Sequence, residues 1–297
     1  MKHMHPQSSR RIFVLGIPTF YNAATLNYLF EDYSRYGYNF VSGRQISDGL
    51  LERIPPKLLI FPGGGHLPDH LDAKAKRSVR NYISSGGNIF LICASAYFGV
   101  AAAWEIEGGK DYYRNNKRKE LLFPGLATIY NNDLGEKTMG EPGVRRGRTR
   151  SGEDIAEFFY GGPVLTNYLP PSTDGRLPHR LSDIKAFTPI IYMAHKDGSA
   201  IQGVFTAIAR ELPNGGAAAV FTNHSDHPFE VSLDVRSRAP GQVKKKIALG
   251  KATEADLAYE YDYNAKLEEI GRRLYPTSRA QQSARDFLYE GVFGLRK

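Results

Sequence analysis

The sequence has one cysteine and one tryptophan among 297 residues, and its longest apolar stretch, Ile89–Trp104, is interrupted by Ser95 and Gly99. A single cysteine cannot form an intrachain disulfide, which is typical of proteins from a reducing compartment. The apolar segments Ile12–Ile17 and Leu58–Phe61 are far shorter than the roughly 20 residues that cross a bilayer. The segment before Ile12 lacks the pattern of a signal peptide. These absences predict a cytoplasmic protein that does not enter a membrane.

Acidic side chains are fewer than basic ones. The chain has 39 Lys and Arg residues against 31 Asp and Glu residues, which gives a net charge of +8. A basic surface attracts anionic partners, and basic residues cluster at Arg145–Arg150 and Lys244–Lys246. Neither cluster is interleaved with aromatic residues that stack on bases, so nucleic acid is not the expected partner.

Candidate metal ligands are also few. The best spacing is that of His66 and His70, which would lie one turn apart if this segment were helical, with Asp69 between them. A pair of histidines without a third ligand does not make a metal site. The sequence therefore predicts neither a metal nor a cofactor.

Apolar runs alternate with helical patterns in the first third of the chain. Strands are predicted at Arg11–Gly16, Lys57–Phe61 and Asn88–Ile92, and helices at Ala23–Tyr33 and Leu71–Ile83. This alternation favours an α/β fold with a mostly parallel central sheet that is flanked by helices in three layers. Ligand sites in such sheets lie at the carboxyl ends of the strands.

The pattern changes in the middle of the chain. Residues 108–168 are polar and rich in glycine and arginine, which predicts long loops or insertions over the sheet edge. Extended runs at Pro189–His195, Ser199–Ala207 and Ala217–Thr222 are separated by Asp-Gly and Asn-Gly turns, which are typical of β-hairpins.

Helical periodicity returns near the C-terminus. Thr253 and Asp256 have the spacing of a capping box at the start of a helix. We therefore expect a main domain over residues 1–235 and a basic helical extension over residues 236–297 that packs on it.

Cys93 directly follows a predicted buried strand. A cysteine on a sharp turn between a strand and a helix presents its sulfur at the sheet edge, and the helix N-terminus there favours the thiolate. Cys93 is thus a candidate nucleophile. The alternative is a buried cysteine that acts as a small apolar residue.

Two further segments could complete a cysteine-dependent site. Backbone amides of Gly63, Gly64 and Gly65 could approach a substrate carbonyl and form an oxyanion hole, although a plain strand-ending turn would have the same sequence. His224 and Asp226 follow another predicted strand, and alternate residues of an extended segment point to the same side. They could act as a base and its orienting carboxylate, or form a solvated polar loop.

Several motifs occur in the order in which a known family has them. They are Phe61–Gly65, Val79–Gly87, Cys93–Gly99, Glu105–Gly108, Lys119–Gly125 and Phe159–Pro163. Together they resemble the amidotransferase-like domain at the N-terminus of eukaryotic biotin-protein ligases, which also occurs as a stand-alone protein. The resemblance covers roughly residues 11–230 and implies the class I glutamine amidotransferase fold, which is flavodoxin-like.

The resemblance also implies roles for individual residues. Cys93 matches the family's nucleophile, and His224 with Asp226 matches its His-x-Glu pair. The implied oxyanion and substrate-binding residues are Gly63, Gly64, Gly65, Ala94, Tyr97, Tyr160 and Gly161.

The chain departs from the family pattern around the nucleophile. Leu91 and Ser95 replace the two glycines of the Gly-x-Cys-x-Gly elbow, and Asp226 replaces a glutamate. Glycines relieve crowding in a strained turn. Their replacement favours a protein that has kept the fold and lost turnover.

The leading prediction is an amidotransferase-like cysteine hydrolase or amidase that acts on a small amide or acyl substrate through Cys93, His224 and Asp226. Amidotransfer would need a partner subunit, because the sequence contains no recognisable synthetase domain. One alternative is a non-catalytic binding or regulatory module related to the same N-terminal domain. A weaker alternative is a basic anion-binding interaction protein. Biotin ligation by this chain alone is not expected, because too few residues follow Glu230 for a ligase domain.

Overall fold

The computed structural model describes most of the sheet and parts of its surroundings. The described residues are 12–16, 38–62, 71–98, 100–107, 110–115, 122–129, 143–159, 164–166, 187–194, 199–222, 246, 249–258, 265, 284 and 286–295. The predicted helix Ala23–Tyr33 lies outside these residues, so it stays a prediction. Among the described residues, no helix is both long enough and apolar enough to cross a membrane.

The described residues form a sheet of thirteen strands and several short helices. The strands are β1 (Ile12–Leu15), β2 (Tyr38–Val41), β3 (Leu58–Phe61), β4 (Ile89–Ile92), β5 (Val100–Glu107), β6 (Lys110–Asn115), β7 (Phe123–Ile129), β8 (Gly143–Thr149), β9 (Asp154–Phe159), β10 (Val164–Thr166), β11 (Thr188–Ala194), β12 (Ala200–Glu211) and β13 (Ala217–Phe221). The helices are α1 (Gly43–Ser47), α2 (Leu50–Arg53) and α3 (Ala73–Ser84), with a 3₁₀ helix at Cys93–Phe98 and a π-helical turn at Phe287–Val292.

Five strands form the parallel part of the sheet. Strands β2, β1, β3, β4 and β13 are neighbours in that order, and each pair is parallel. Every residue of β1, β3, β4 and β13 is buried. Continuous apolar runs such as these are expected in strands that are covered on both faces. The predicted α/β fold with a parallel central sheet is confirmed.

The rest of the sheet is largely antiparallel. Strand β12 pairs with β13, β10 and β11, while β8 joins β11 to β9, and all of these pairs are antiparallel. The predicted long loops or insertions over residues 108–168 include regular strands, because β6 to β10 lie within this region. Antiparallel strands with one solvated face alternate polar and apolar residues, so a high average polarity conceals them.

Helix α3 covers one face of the parallel strands. The Asp72 side chain caps the helix by accepting a hydrogen bond of 2.7 Å from the backbone N–H of Ala75. The buried helix residues Ala75, Val79 and Tyr82 belong to the cluster that includes Leu59, Phe61 and Leu91 of the sheet. The helix is followed by Gly86 in a left-handed conformation.

The C-terminal part of the chain covers the opposite face. Leu288, Tyr289 and Phe293 are buried in one cluster with Phe90 and Cys93. The ring centres of Tyr289 and Phe293 each lie 6.3 Å from the ring centre of Phe90 in β4.

The capping box predicted in this C-terminal part is confirmed. The backbone N–H of Asp256 donates to the Thr253 hydroxyl, and the backbone N–H of Thr253 donates to the Asp256 carboxylate. The boundary at residue 235 stays a prediction.

Candidate active site

Cys93 lies at the carboxyl end of β4, in the middle of the parallel strands. Strand β4 has β3 on one side and β13 on the other, and its last residue, Ile92, is level with Phe221 of β13. Cys93 is also the first residue of the 3₁₀ helix that follows. The predicted position between a buried strand and a helical turn is therefore present, and it is at the edge where parallel sheets bind ligands.

The backbone of Cys93 is left-handed. Its φ is +52°, and Cys93 is the one residue other than glycine with a positive φ among the residues that the structure describes. This conformation costs a non-glycine residue of the order of 1–2 kcal/mol, because its Cβ approaches the backbone carbonyl oxygen. Such strain occurs most often at functional sites. The sharp turn is formed although neither neighbouring elbow position is glycine.

Ser95 replaces the second elbow glycine and is fully buried. Its hydroxyl donates a hydrogen bond of 2.8 Å to the backbone carbonyl oxygen of Pro62. Pro62 follows β3 and precedes the predicted oxyanion loop at Gly63. The serine thus ties the cysteine turn to the end of the neighbouring strand, a role that sequence reasoning missed. A serine two residues after a candidate nucleophile was the available signal.

Thr222 directly follows the other neighbouring strand, β13, as Cys93 follows β4. Its backbone N–H and its hydroxyl donate to the carbonyl oxygen of Thr206, at 2.8 and 3.2 Å. These bonds hold the end of β13 against β12. In the sequence, Thr222 stands two residues before His224.

Few of the predicted site residues lie within the part of the chain that the structure describes. Ala94 and Tyr97 lie in the 3₁₀ helix with Cys93. The other predicted site residues lie outside the described residues altogether: Gly63, Gly64, Gly65, Tyr160, Gly161, His224 and Asp226. The assembly of the triad and of the oxyanion hole therefore stays a prediction.

The Cys93 side chain is a buried thiol outside any disulfide, with 3% of the residue exposed. It belongs to an apolar cluster with Phe90 and Ile92 of its own strand and with residues of the C-terminal part. A thiol with this burial fits a small core residue, whereas a reactive cysteine is usually partly exposed.

A buried carboxylate lies in the antiparallel part of the sheet, and the sequence analysis did not identify it. Glu157 of β9 is fully buried, and the Thr206 hydroxyl donates to its Oε2 at 2.7 Å. Gly147 of β8 leaves room for this carboxylate, since a Cβ there would lie 2.7 Å from the same oxygen. Because Thr206 also binds Thr222, this carboxylate lies toward the strand end that carries the candidate site. In the sequence, Glu157 stands two residues after Ile155, so in a strand both side chains lie on the same face, and Ile155 is buried.

The basic clusters are partly neutralised in the structure. Arg146 forms an ion pair of 2.6 Å with Asp154, and Lys246 forms one of 2.9 Å with Asp256. Hydrogen bonds from the Thr253 backbone and from Lys246 lower the pKa of the Asp256 carboxyl to about 2. The Lys246 ammonium group is therefore already bound to a carboxylate of the same chain.

No metal centre is present among the described residues. No group of three or more His, Cys, Asp or Glu side chains within them is placed to hold a metal ion. The histidine pair at His66 and His70 lies outside the described residues.

Residues 36–132 match the protein family described as the N-terminal part of biotin-protein ligase. The matched segment contains Cys93 and confirms the family resemblance over that range. No curated protein matches the chain.

Two solved structures align along nearly the whole chain at low similarity. A glutamine amidotransferase from Thermotoga maritima is 12% identical, with 95% of this chain and 97% of that chain covered and a TM-score of 0.49. A putative GMP synthase subunit from Thermoplasma acidophilum is 13% identical, with 93% and 98% covered and a TM-score of 0.39. The strand order of this chain itself identifies the α/β fold.

Proposed function

We propose, from the match of residues 36–132 to the biotin-protein ligase N-terminal family, that this chain is an amidotransferase-like cysteine hydrolase. Its substrate would be a small amide or a related acyl compound. The observation that carries the proposal is the left-handed backbone of Cys93 at the carboxyl end of β4. A strained turn between a strand and a helix is the arrangement that exposes a nucleophile in many α/β hydrolytic enzymes.

The proposed reaction follows the usual course of a cysteine nucleophile. The Cys93 thiolate attacks the substrate carbonyl carbon, and backbone amides near Gly64 and Ala94 stabilise the negative oxygen. The C–N bond of an amide then breaks, and His224 gives a proton to the leaving nitrogen. Water, deprotonated by His224, releases the acyl group from Cys93 as a carboxylic acid. Asp226 would orient the imidazole throughout.

Chain connectivity supports a meeting of Cys93 and His224. Neighbouring strands lie about 4.8 Å apart, and Cys93 and Thr222 directly follow the paired residues Ile92 and Phe221. Two further residues span at most about 7 Å, so the chain can return His224 to the cysteine. Asp226 in place of glutamate has one methylene less, which requires a closer approach of its backbone to His224.

A non-catalytic binding or regulatory module is the second candidate. The observation that favours it is the burial of Cys93, which is 3% exposed in an apolar cluster. In this case the strained turn would be a retained feature of the fold. The two candidates predict opposite behaviour of the thiol.

The discriminating experiment measures the rate at which iodoacetamide alkylates Cys93 at neutral pH. A nucleophile near a base should react faster in the folded protein than in the same chain unfolded in urea. Since Cys93 is the single cysteine, the Cys93→Ala variant gives the background of the assay. Equal or slower alkylation of the folded protein would exclude the hydrolase and favour the non-catalytic module.

A second variant tests the predicted base. His224→Asn should return the alkylation rate to that of an unperturbed buried thiol, while His227→Asn serves as the neighbouring control. A panel of small amides and thioesters would then be assayed with the wild type and Cys93→Ser. Turnover that survives in Cys93→Ser would exclude the proposed mechanism.

Partners and location belong to the same proposal. If ammonia is transferred and not released, a separate acceptor protein must receive it, because the sequence shows no recognisable synthetase domain. A single cysteine cannot form an intrachain disulfide, which agrees with the reducing environment of the cytoplasm.

A further inference from the structure

A cavity of about 480 Å³ lies between the β8–β9 turn, strand β11 and the C-terminal part of the chain. Its walls include residues of the turn Thr149–Glu153, together with Ile190, Ala284 and Phe287. The volume falls within the range of small-molecule sites, which is about 300–1,000 Å³. Cys93 is not among the described residues that line it.

The β8–β9 turn is held rigidly by hydrogen bonds. The backbone N–H of Thr149 donates to the carbonyl oxygen of Glu153 at 2.8 Å, and the backbone N–H of Glu153 donates to the Thr149 hydroxyl at 3.0 Å. The backbone N–H of Arg150 donates to the carbonyl oxygen of Ile190 at 2.9 Å, which fixes the turn to β11. A wall fixed in this way loses little conformational entropy when a ligand binds.

Two opposite charges line the cavity without pairing. Arg150 and Glu153 are both exposed lining residues, and within the described part of the chain neither takes part in an ion pair. The Glu153 carboxylate accepts one hydrogen bond from the Ser151 hydroxyl at 3.1 Å. By contrast, Arg146 of β8 is paired with Asp154. The cavity thus offers a cation and an anion to one ligand.

The remaining wall of the cavity is apolar. Ile190 and Ala284 are buried, while Phe287 is 41% exposed. An aromatic surface left open at the edge of a small-molecule cavity is a contact surface for an apolar group.

We propose that this cavity binds a free amino acid with an apolar side chain. Its carboxylate would bind the Arg150 guanidinium, whose planar donors match a carboxylate. Its ammonium group would bind the Glu153 carboxylate, and its side chain would pack against Phe287 and Ile190. The inference does not depend on the proposed hydrolase, because it uses none of that site's residues.

The experiment titrates the full chain with three probes and follows binding by ligand-observed NMR. L-phenylalanine carries both charges, 3-phenylpropionate lacks the ammonium group, and phenethylamine lacks the carboxylate. For a ligand of this size we expect a Kd of about 1 mM for L-phenylalanine. Each probe with a single charge should bind about tenfold more weakly, because it loses a charge-assisted hydrogen bond.

Charge variants assign the two ends of the ligand. Arg150→Gln should weaken L-phenylalanine about tenfold and leave phenethylamine unchanged, while Glu153→Gln should weaken L-phenylalanine and leave 3-phenylpropionate unchanged. Arg77→Gln is the matched control, because Arg77 is an exposed arginine on α3, which covers the opposite face of the sheet. Far-UV circular dichroism verifies that each variant is folded.

Three results would overturn this inference. L-phenylalanine could show no saturable binding, the three probes could bind equally, or Arg150→Gln could bind L-phenylalanine as the wild type does. Loss of alkylation or turnover at Cys93 would not affect any of these measurements, so the two proposals fail separately.

Discussion

Replacing Cys93 by alanine and by glycine measures the strain in the candidate elbow. Both variants remove the sulfur, and they differ in the Cβ that the left-handed backbone crowds. At an ordinary buried position, glycine in place of alanine loses about 0.8 kcal/mol of methyl burial and about 0.5–1 kcal/mol through chain entropy. At Cys93, relief of the left-handed conformation returns about 1–2 kcal/mol. The two variants should therefore have free energies of unfolding equal within about 0.5 kcal/mol.

Ala96 provides the internal control for this comparison. It lies in the same 3₁₀ helix, is fully buried and has no positive φ. Ala96→Gly should therefore cost about 1.5 kcal/mol, with no compensation. Urea unfolding followed by circular dichroism gives all of these values. The result to compare is the free energy of unfolding lost by Cys93→Gly relative to Cys93→Ala. If this loss equals the loss that Ala96→Gly causes relative to the wild type, the elbow is not strained, and the main support for a nucleophile is lost.

Two other predictions concern the packing around the site and a buried tyrosine. Gly147→Ala should lower the free energy of unfolding by about 1–3 kcal/mol, because its Cβ would lie 2.7 Å from Glu157 Oε2. The control is Gly291→Ala, whose Cβ would meet only the edge of the Phe287 ring at 3.4 Å. Equal urea midpoints of the two variants would refute this prediction. Burial raises the pKa of Tyr82 well above its usual value, so stability present below about pH 10 is lost as pH rises further. The stability difference between the wild type and Tyr82→Phe should shrink by about 1.4 kcal/mol at about pH 11, and a difference that stays constant with pH would contradict this.

The parallel half of the fold was predictable because its signals are local. Asn88–Ile92 and Ala217–Thr222 are apolar runs bounded by turn residues, and the structure places strands there within one residue. The position of Cys93 followed from the same pattern. The left-handed backbone of Cys93 could not be predicted in this way, because the usual elbow glycines are absent. The hydrogen bond from Ser95 to Pro62 also joins residues that are distant in the sequence.

The antiparallel half was less predictable because its contacts are distant in the sequence. The burial of Glu157 depends on Thr206 of another strand and on the missing side chain at Gly147. No short window of the sequence contains all three residues. The cavity beside the β8–β9 turn likewise arises only when Arg150 and Phe287 are brought together by folding.

The cover of β4 by residues near the C-terminus has a consequence for biosynthesis. The strand that precedes Cys93 needs β13 beside it and Leu288, Tyr289 and Phe293 over Phe90. All of these leave the ribosome long after β4, so the described cover of Phe90 is completed only late in translation. The segment 36–132, which matches a family by itself, does not contain these covering residues. A shortened chain that ends before Leu288 is expected to aggregate or to recruit chaperones.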